Sequence, residues 1–387
     1  MPSWLRLSIA GSATLLVGMG LGRFSYSPLI PPLIEGGVLS ASEAGTVGAC
    51  NFAGYLLGAL AAPLLRGRFG EVQTVRLCLL LAFLSLIASA IPLGFLWLAF
   101  WRMLVGACIG VMMIYALTIV TRAAPPEKLG TATSIVFLGV GVGILCAGTM
   151  IPFLLETSLM AAWSGIAVLG GIAVVVAFWG WRAAENEPPQ RHRQAVAKQP
   201  WSPLVLGLIG ARTMFSFGLI PHSIYWVDYL VRGLGRDIEF GGMHWGLFGL
   251  GAIGGTFLWG KLADRVGFRL ALVLAFAALG IGTALPVLHI AGWSLVFSSL
   301  VVGAQPGVSA ILSGRMHQLM GADGMAIVWR RSALIATVVQ AVGSYAYVAL
   351  FAYTDNYVPL FLMGAAAMFI GALISCALRL PDHHPRR

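Results

Sequence analysis

Arg23 and Arg102 carry the strongest chemical signal in this chain, because each stands inside a long apolar stretch. A guanidinium in a spanning helix costs several kcal/mol unless it is hydrated, paired or able to snorkel. Each lies about eight residues, roughly 12 Å, from the nearer outer end of its stretch, which is deep for snorkelling. No carboxylate stands deep in the first half of the chain. Two neighbouring guanidiniums would then repel unless an anion or water lay between them. Arginine's planar fork suits carboxylate and phosphate, so the expected role of Arg23 and Arg102 is to bind an anionic group of a substrate. The alternative for Arg23 is a bond to helix carbonyls freed near Pro28. Tyr26 shares the face of Arg23 at i+3, and Asn51 and Tyr55 share another face at i,i+4. Asn51 and Tyr55 fit either a cavity lining or hydrogen bonds between helices.

A second constellation follows at His222, Tyr225, Trp226 and Tyr229, spaced i, i+3, i+4 and i+7 on one helical face. Its aromatic members suit substrate contact or an interfacial belt. His222 adds a group that titrates near neutral pH. Asp228 is the single acidic residue within the expected helices away from their ends. It lies six positions from His222, about 120° around the helix, so the two do not share a face. Each is a candidate for exchanging a proton, and Asp228 has the alternative of pairing with Arg232 at i+4. Arg212 fits either snorkelling or a cavity lining.

These residues must be positioned by membrane helices. The chain has 387 residues, of which 59% are hydrophobic and 10% charged. A soluble domain carries about 25% charged residues, so lipid must solvate most of this surface. A spanning helix needs roughly 20 apolar residues. Twelve such stretches lie near 7–31, 42–65, 72–92, 95–121, 131–154, 159–181, 204–230, 243–262, 269–289, 292–316, 328–352 and 357–379. The first is too long for a leader h-region and is interrupted by Arg23, so it reads as a retained helix. The 49 glycines suit close helix packing in lipid. The five cysteines, all within expected helices, match no zinc or redox spacing. His383 and His384 are too few for a metal site.

The net charge of +10 does not indicate a nucleic-acid partner, because its distribution follows the loops. With loops assigned alternately to two sides, one side holds nineteen Lys and Arg and the other only Arg232 and Arg236. The positive-inside rule then places both termini and the 182–203 loop in the cytoplasm. Arg330, Arg331 and Arg315 read as cytoplasmic anchors.

The 182–203 stretch is the longest polar run, so residues 1–181 and 204–387 are expected to form two six-helix bundles joined by a cytoplasmic linker. Gly58 to Arg68-Phe69-Gly70 aligns with Gly255 to Arg265-Val266-Gly267 at an offset of 197 residues. The segment 260–269, Gly-Lys-Leu-Ala-Asp-Arg-Val-Gly-Phe-Arg, lies between two apolar stretches. Gly260, Asp264, Arg265, Gly267 and Arg269 fill the signature loop of the major facilitator superfamily, which this chain resembles over essentially its whole length. The first-half loop departs from that signature at Pro63 and Gly67. Arg102-x-x-x-Gly106-x-x-x-Gly110 resembles the superfamily's helix-4 motif, whose arginine is associated with substrate or proton coupling. The stretches at Gly20–Leu29, Asn51–Gly58 and Gly218–Asp228 resemble the YbfB/YjiJ-like branch. Gly139, Gly141, Gly143, Gly148 and Pro152 resemble the antiporters' glycine-proline motif, except that Ile144 replaces its proline.

The resemblance implies an all-α integral membrane protein of twelve helices, with a substrate cavity lined by helices 1 and 4 among others. It implies that the 260–269 loop latches one conformation. A carboxylate is stabilised at a helix N-terminus, so Asp264 is expected near Gly130–Thr133 at the start of helix 5. The expected function is secondary transport by alternating access of a small solute, best an organic anion, with Arg102, His222 and Asp228 as candidates for coupling to protons. Multidrug-type efflux of lipophilic compounds is the alternative. A membrane enzyme would have only His222 and Asp228 as acid and base, and a transport-dead sensor would be expected to carry a soluble effector domain. No phosphate-binding loop, cofactor or metal site is expected, and the protein is expected to be a monomer in a bacterial inner membrane.

Overall fold

The computed structural model describes residues 1–91, 93–186, 201–288, 290 and 292–378. Every regular element in it is helical. The spans in order are α1 (Ser3–Glu35), α2 (Ala41–Phe69), α3 (Glu71–Ser89), α4 (Phe95–Ala123), α5 (Leu129–Leu155) and α6 (Leu159–Trp181). They continue with α7 (Pro203–Gly233), α8 (Ile238–Val266), α9 (Phe268–Leu288) and α10, whose two arms Ser294–Gly303 and Gln305–Gly321 bend by 45°. The last are α11 (Ile327–Thr354) and α12 (Tyr357–Ala377). Ten of these are long and apolar enough to cross a membrane, eleven with the bent α10 counted. Helix α8 is long enough at 29 residues, but its glycines and polar residues dilute its apolar character. Most of the 182–203 linker and the tail beyond Leu378, with His383 and His384, lie outside the described residues.

α1 and α7 are both broken near their middles. In α1 a π-helical turn at Leu16–Leu21 is followed by a 3-10 turn at Phe24–Leu29. Pro28 has no N–H to give the ladder, and the ring excludes regular α geometry one turn earlier. In α7 the break falls at Gly218–Ile220, before Pro221, and a π turn follows at Tyr229–Gly233. Broken helices leave backbone carbonyls without ladder partners, which polar side chains can then satisfy.

The repeat seen in sequence is reproduced in three dimensions at the same offset of 197. α2 starts at Ser40, which caps Glu43 N and is capped in return. α8 starts at Asp237, which accepts from Phe240 N at 2.7 Å. Both helices are 29 residues long and end on a glycine at positive φ, Gly70 at 76° and Gly267 at 81°. A Cβ on Gly54 would meet Met103 O at 1.9 Å, and one on Gly251 would meet Leu300 O at 2.2 Å. Gly58 meets Ala107 O as Gly255 meets Ala304 O, and Gly106 meets Asn51 O as Gly303 meets Phe248 O. α2 thus packs on α4 as α8 packs on α10, backbone against backbone. The first-half loop keeps this geometry despite its departures in sequence. Glu71 there pairs with Arg66 at 3.1 Å and Arg122 at 2.9 Å.

α5 presents small residues on two faces. Gly139 and Gly143 approach Ser12 and Gly20 of α1, while Gly141 and Gly148 approach Ile253 and Gly246 of α8. Its glycine run is therefore a packing surface between the two sets of helices. The sets also meet through α2 and α11, where Cys50 Sγ lies 3.6 Å from Tyr345 Oη. The contacts of Gly148 with Gly246 and of Cys50 with Tyr345 lie toward the helix ends opposite the chain termini. Toward the termini, α5 and α8 instead enclose a cleft of about 300 Å³ between Gly130–Leu138 and Ala252–Phe257.

Candidate functional site

Arg102 is 1% exposed. Its Nη2 donates to the carbonyl of Arg23 at 2.9 Å, and its guanidinium lies 4.6 Å from the Tyr26 ring centre. The 3-10 turn that follows Arg23 gives that carbonyl only a long bond from Tyr26 N, at 3.4 Å, and so leaves it open to a further donor. Asn51 Nδ2 in turn donates to the Arg102 carbonyl at 3.1 Å, and Tyr26 Oη donates to Ala44 O at 2.9 Å. Arg102, Tyr26 and Asn51 thus tie α1, α2 and α4 together. The pairing expected from sequence divides here: Arg102 is engaged by the protein's own backbone and aromatic face. The freed carbonyl near Pro28 does find a guanidinium, but it belongs to Arg102 and not to Arg23.

Arg23 is half-buried. Its guanidinium carbon lies 3.9 Å from the Phe52 ring centre and 5.7 Å from that of Tyr55. Such stacking is worth about 0.5–2 kcal/mol and leaves the in-plane donors untouched. Nε and Nη2 of Arg23 have no hydrogen-bond partner. Arg212 of α7 repeats the arrangement from the other set of helices. It stacks on Trp329 of α11 at 3.6 Å, with Nη1 unpartnered. Both guanidiniums lie within electrostatic reach of the Tyr55 hydroxyl. Of the two readings of Arg212, the structure favours the interior one.

The histidine and the acid of α7 occupy separate surroundings, as their 120° spacing required. His222 is fully buried, with Nε2 2.8 Å from Ser298 Oγ and its ring stacked on Trp226 at 4.7 Å. A second buried histidine, His244, lies 2.9 Å from Ser299 Oγ through Nδ1, and its ring meets the other side of the Trp226 neighbourhood at 6.3 Å. The sequence offered no signal for this pair beyond two adjacent serines in an apolar helix. Tyr225 and Trp226 are buried as well, so they form no belt at the lipid boundary. Tyr225 packs against Gly45 of α2, and Phe24 meets Trp245 at 6.1 Å and Phe248 at 6.4 Å. These aromatic contacts close the end opposite the chain termini, between α1 and α2 on one side and α7 and α8 on the other.

Asp228 is 1% exposed and accepts from Tyr357 Oη at 2.6 Å and from Arg232 Nη1 at 3.3 Å on each oxygen. The i+4 pair anticipated from sequence is present. Tyr357, 129 residues away, was not legible there.

At the end of α8 the contact expected of Asp264 is not made in this state. Asp264 is exposed and makes no hydrogen bond or ion pair among the described residues. Gly130 and Thr131 line the cleft opposite Ala252, Ile253 and Phe257, with no cap from Asp264. The glycine contacts that hold α5 to α8 stop at Gly141 and Ile253, and the larger Phe257 follows. Gly267 ends α8 and Arg265 is exposed. No neighbour lies within 4 Å of a Cβ built on Gly260. Arg269 donates through Nε and Nη2 to Cys376 O at 3.1 and 2.5 Å, and Arg315 donates to Leu378 O, so both hold the end of α12. Arg331 stacks on Trp201 at 4.6 Å. Among the described residues no group of three His, Cys, Asp or Glu could hold a metal ion.

Helices broken at α1 and α7 and an internal repeat of caps and glycine contacts define the architecture of the major facilitator fold. The chain belongs to the family described as "Uncharacterised MFS-type transporter YbfB", whose model matches residues 15–376. It is 24% identical over 283 residues to a putative metabolite transport protein of Haemophilus influenzae, covering 68% of this chain and 66% of that protein. It is 25% identical to a gallate transporter of Pseudomonas putida, covering 78% and 73%. It is also 25% identical to the 3-(3-hydroxy-phenyl)propionate transporter of Escherichia coli, covering 59% and 57%. Among solved structures, a D-xylose-proton symporter superposes with a TM-score of 0.73 at 15% identity, covering 97% of each chain. A peptide transporter bound to sulfate gives 0.73 at 16% identity, covering 97% of this chain and 94% of that one. The family and these relatives are transporters of small molecules, not enzymes, and the chain is an integral membrane protein.

Proposed function

We propose that the protein is a secondary transporter of small organic anions, best an aromatic carboxylate, working by alternating access between residues 1–181 and 204–387. The observation that carries this reading is Arg23. It is a cation held on Phe52 beside Tyr55, with two donors unpartnered and no carboxylate in contact. An aromatic acid supplies both a planar anion for the fork and a ring for the surrounding aromatic faces. The gallate and hydroxyphenylpropionate transporters among the relatives handle acids of this kind by name. Tyr26, Asn51 and Arg102 shape this site by fixing the α1 break that presents Arg23. Tyr225 and Trp226 close it on the outer side. The nineteen-to-two distribution of cations supports cytoplasmic termini, so the cleft between α5 and α8 faces inward and this is an inward-facing state. The exposed Asp264 suits a latch that engages only in the opposite state. Asp228 is the foremost proton-coupling candidate, because it is a buried carboxylate inside a spanning helix, and such a group takes up or releases a proton when its solvation changes. His222 and Arg102 remain candidates for the same role.

The test is thermal stability of purified protein against aromatic carboxylates and lipophilic cations, followed by flux in proteoliposomes. Aromatic acids should stabilise the wild type, and Arg23→Ala should weaken their binding by about tenfold or more. Arg23→Lys should recover little, since the planar fork is lost. Stabilisation by lipophilic cations alone, unchanged in Arg23→Ala, would establish efflux instead.

A further inference from the structure

We infer that Arg212 is the second cationic arm of the substrate site, so that the anion is held by one arginine from each half. This rests on the organic-anion reading above and names a residue that the motifs do not mark. Three observations carry it.

Arg212 and Arg23 are built alike. Each guanidinium lies under 4 Å from the centre of an aromatic ring, Trp329 for Arg212 and Phe52 for Arg23. Each ring sits on a different helix from its arginine, so helix pairs α7–α11 and α1–α2 fix the two forks. Each fork keeps donors that no protein atom accepts, Nη1 of Arg212 and Nε with Nη2 of Arg23. A buried donor without a partner costs about 1–3 kcal/mol. The two forks together hold three such donors, which an anionic ligand can satisfy.

Tyr55 of α2 relates the two forks: Arg23 lies 5.7 Å from its ring centre, Arg212 is within electrostatic reach of its hydroxyl, and it is partly accessible. Among the described residues neither arginine forms an ion pair with a carboxylate. An anion placed between two uncompensated cations in a low-dielectric interior is attracted to both. A hydroxyaryl carboxylate has the right polar layout: a carboxylate for one fork and ring hydroxyl oxygens that accept from the other. Because Arg23 and Arg212 lie in opposite halves, such a ligand links them across the pathway. Arg102 is the poorer second arm: its Nε is also unpartnered, but Nη2 is taken by the Arg23 carbonyl, its face by Tyr26, and it lies in the same half as Arg23.

The experiment measures gallate and benzoate binding by calorimetry on full-length protein in detergent, for wild type, Arg23→Ala, Arg212→Ala, Arg212→Lys and the double alanine variant. Unliganded melting temperatures and size-exclusion profiles show which variants fold. If Arg212→Ala does not fold, Arg212→Lys carries the comparison. Arg212→Ala should weaken gallate by about tenfold or more and benzoate by less, because benzoate lacks the second polar end. The double variant should lose less than the product of the single losses, as coupled groups do. Gallate binding that falls with Arg23→Ala but stays at the wild-type value in folded Arg212→Ala and Arg212→Lys overturns the second arm and leaves the anion reading standing. No binding of either acid to the wild type refutes the anion reading, and the second arm with it.

Discussion

Adjacent glycines of α8 should respond in opposite ways to the same substitution. An added Cβ on Gly254 would meet nothing within 4 Å, whereas one on Gly255 would sit 2.4 Å from Ala304 O and 2.5 Å from Ala304 Cα. Real Cβ contacts do not fall below 3.0 Å, so Gly255→Ala must move α8 and α10 apart by about 0.6 Å. The obstructing atoms are backbone on a second helix, so no side-chain rotation can absorb the shift. Overpacking of this kind costs about 1–3 kcal/mol, and a backbone-on-backbone clash belongs at the upper end. Gly254→Ala should leave stability unchanged or raise it by up to about 1 kcal/mol, since alanine favours the helix. The internal repeat extends the argument: Gly58→Ala, whose Cβ would lie 1.9 Å from Ala107 O, should destabilise at least as much as Gly255→Ala. Unfolding followed by intrinsic tryptophan fluorescence or by size exclusion after heating would rank the three variants. Equal effects at Gly254 and Gly255, or a larger loss at Gly254, would refute the claim that glycine contacts set the α8–α10 distance.

Two further outcomes test the polar interior. Arg102→Met removes the donor to the Arg23 carbonyl while filling similar space; it should cost about 1–3 kcal/mol in thermal stability and disturb ligand binding through Arg23, and an unchanged melting temperature would show that the α1 break does not depend on Arg102. Asp228→Asn keeps an acceptor for Tyr357 but gives up the charge facing Arg232, so it should abolish any pH-driven component of flux while leaving counterflow of labelled substrate intact; loss of both would make Asp228 structural.

Much of this architecture was legible in the chain itself. Apolar stretches of spanning length stand within a few residues of the observed helices, because lipid forces every spanning segment to satisfy its own backbone by helix formation. The repeat was visible as Gly58/Gly255 and Gly70/Gly267, since close packing and a left-handed cap each demand glycine at one position. The i,i+4 geometry that joins Asp228 to Arg232 is local, and local geometry follows from spacing. The expected meeting of Asp264 with the start of α5 did not follow, because that contact depends on how far apart two separately packed helices stand. Tertiary structure alone decided which arginine is free. The sequence shows that a buried guanidinium is costly, but its partner is chosen by neighbours 79 residues away at Arg102 and Arg23, and 117 away at Arg212 and Trp329. Composition therefore determined that this chain lives in lipid and folds twice over. Packing determined that Arg102 supports the frame while Arg23 and Arg212 remain open to an anion, because hydrogen-bond satisfaction is settled only when helices distant in the chain come together.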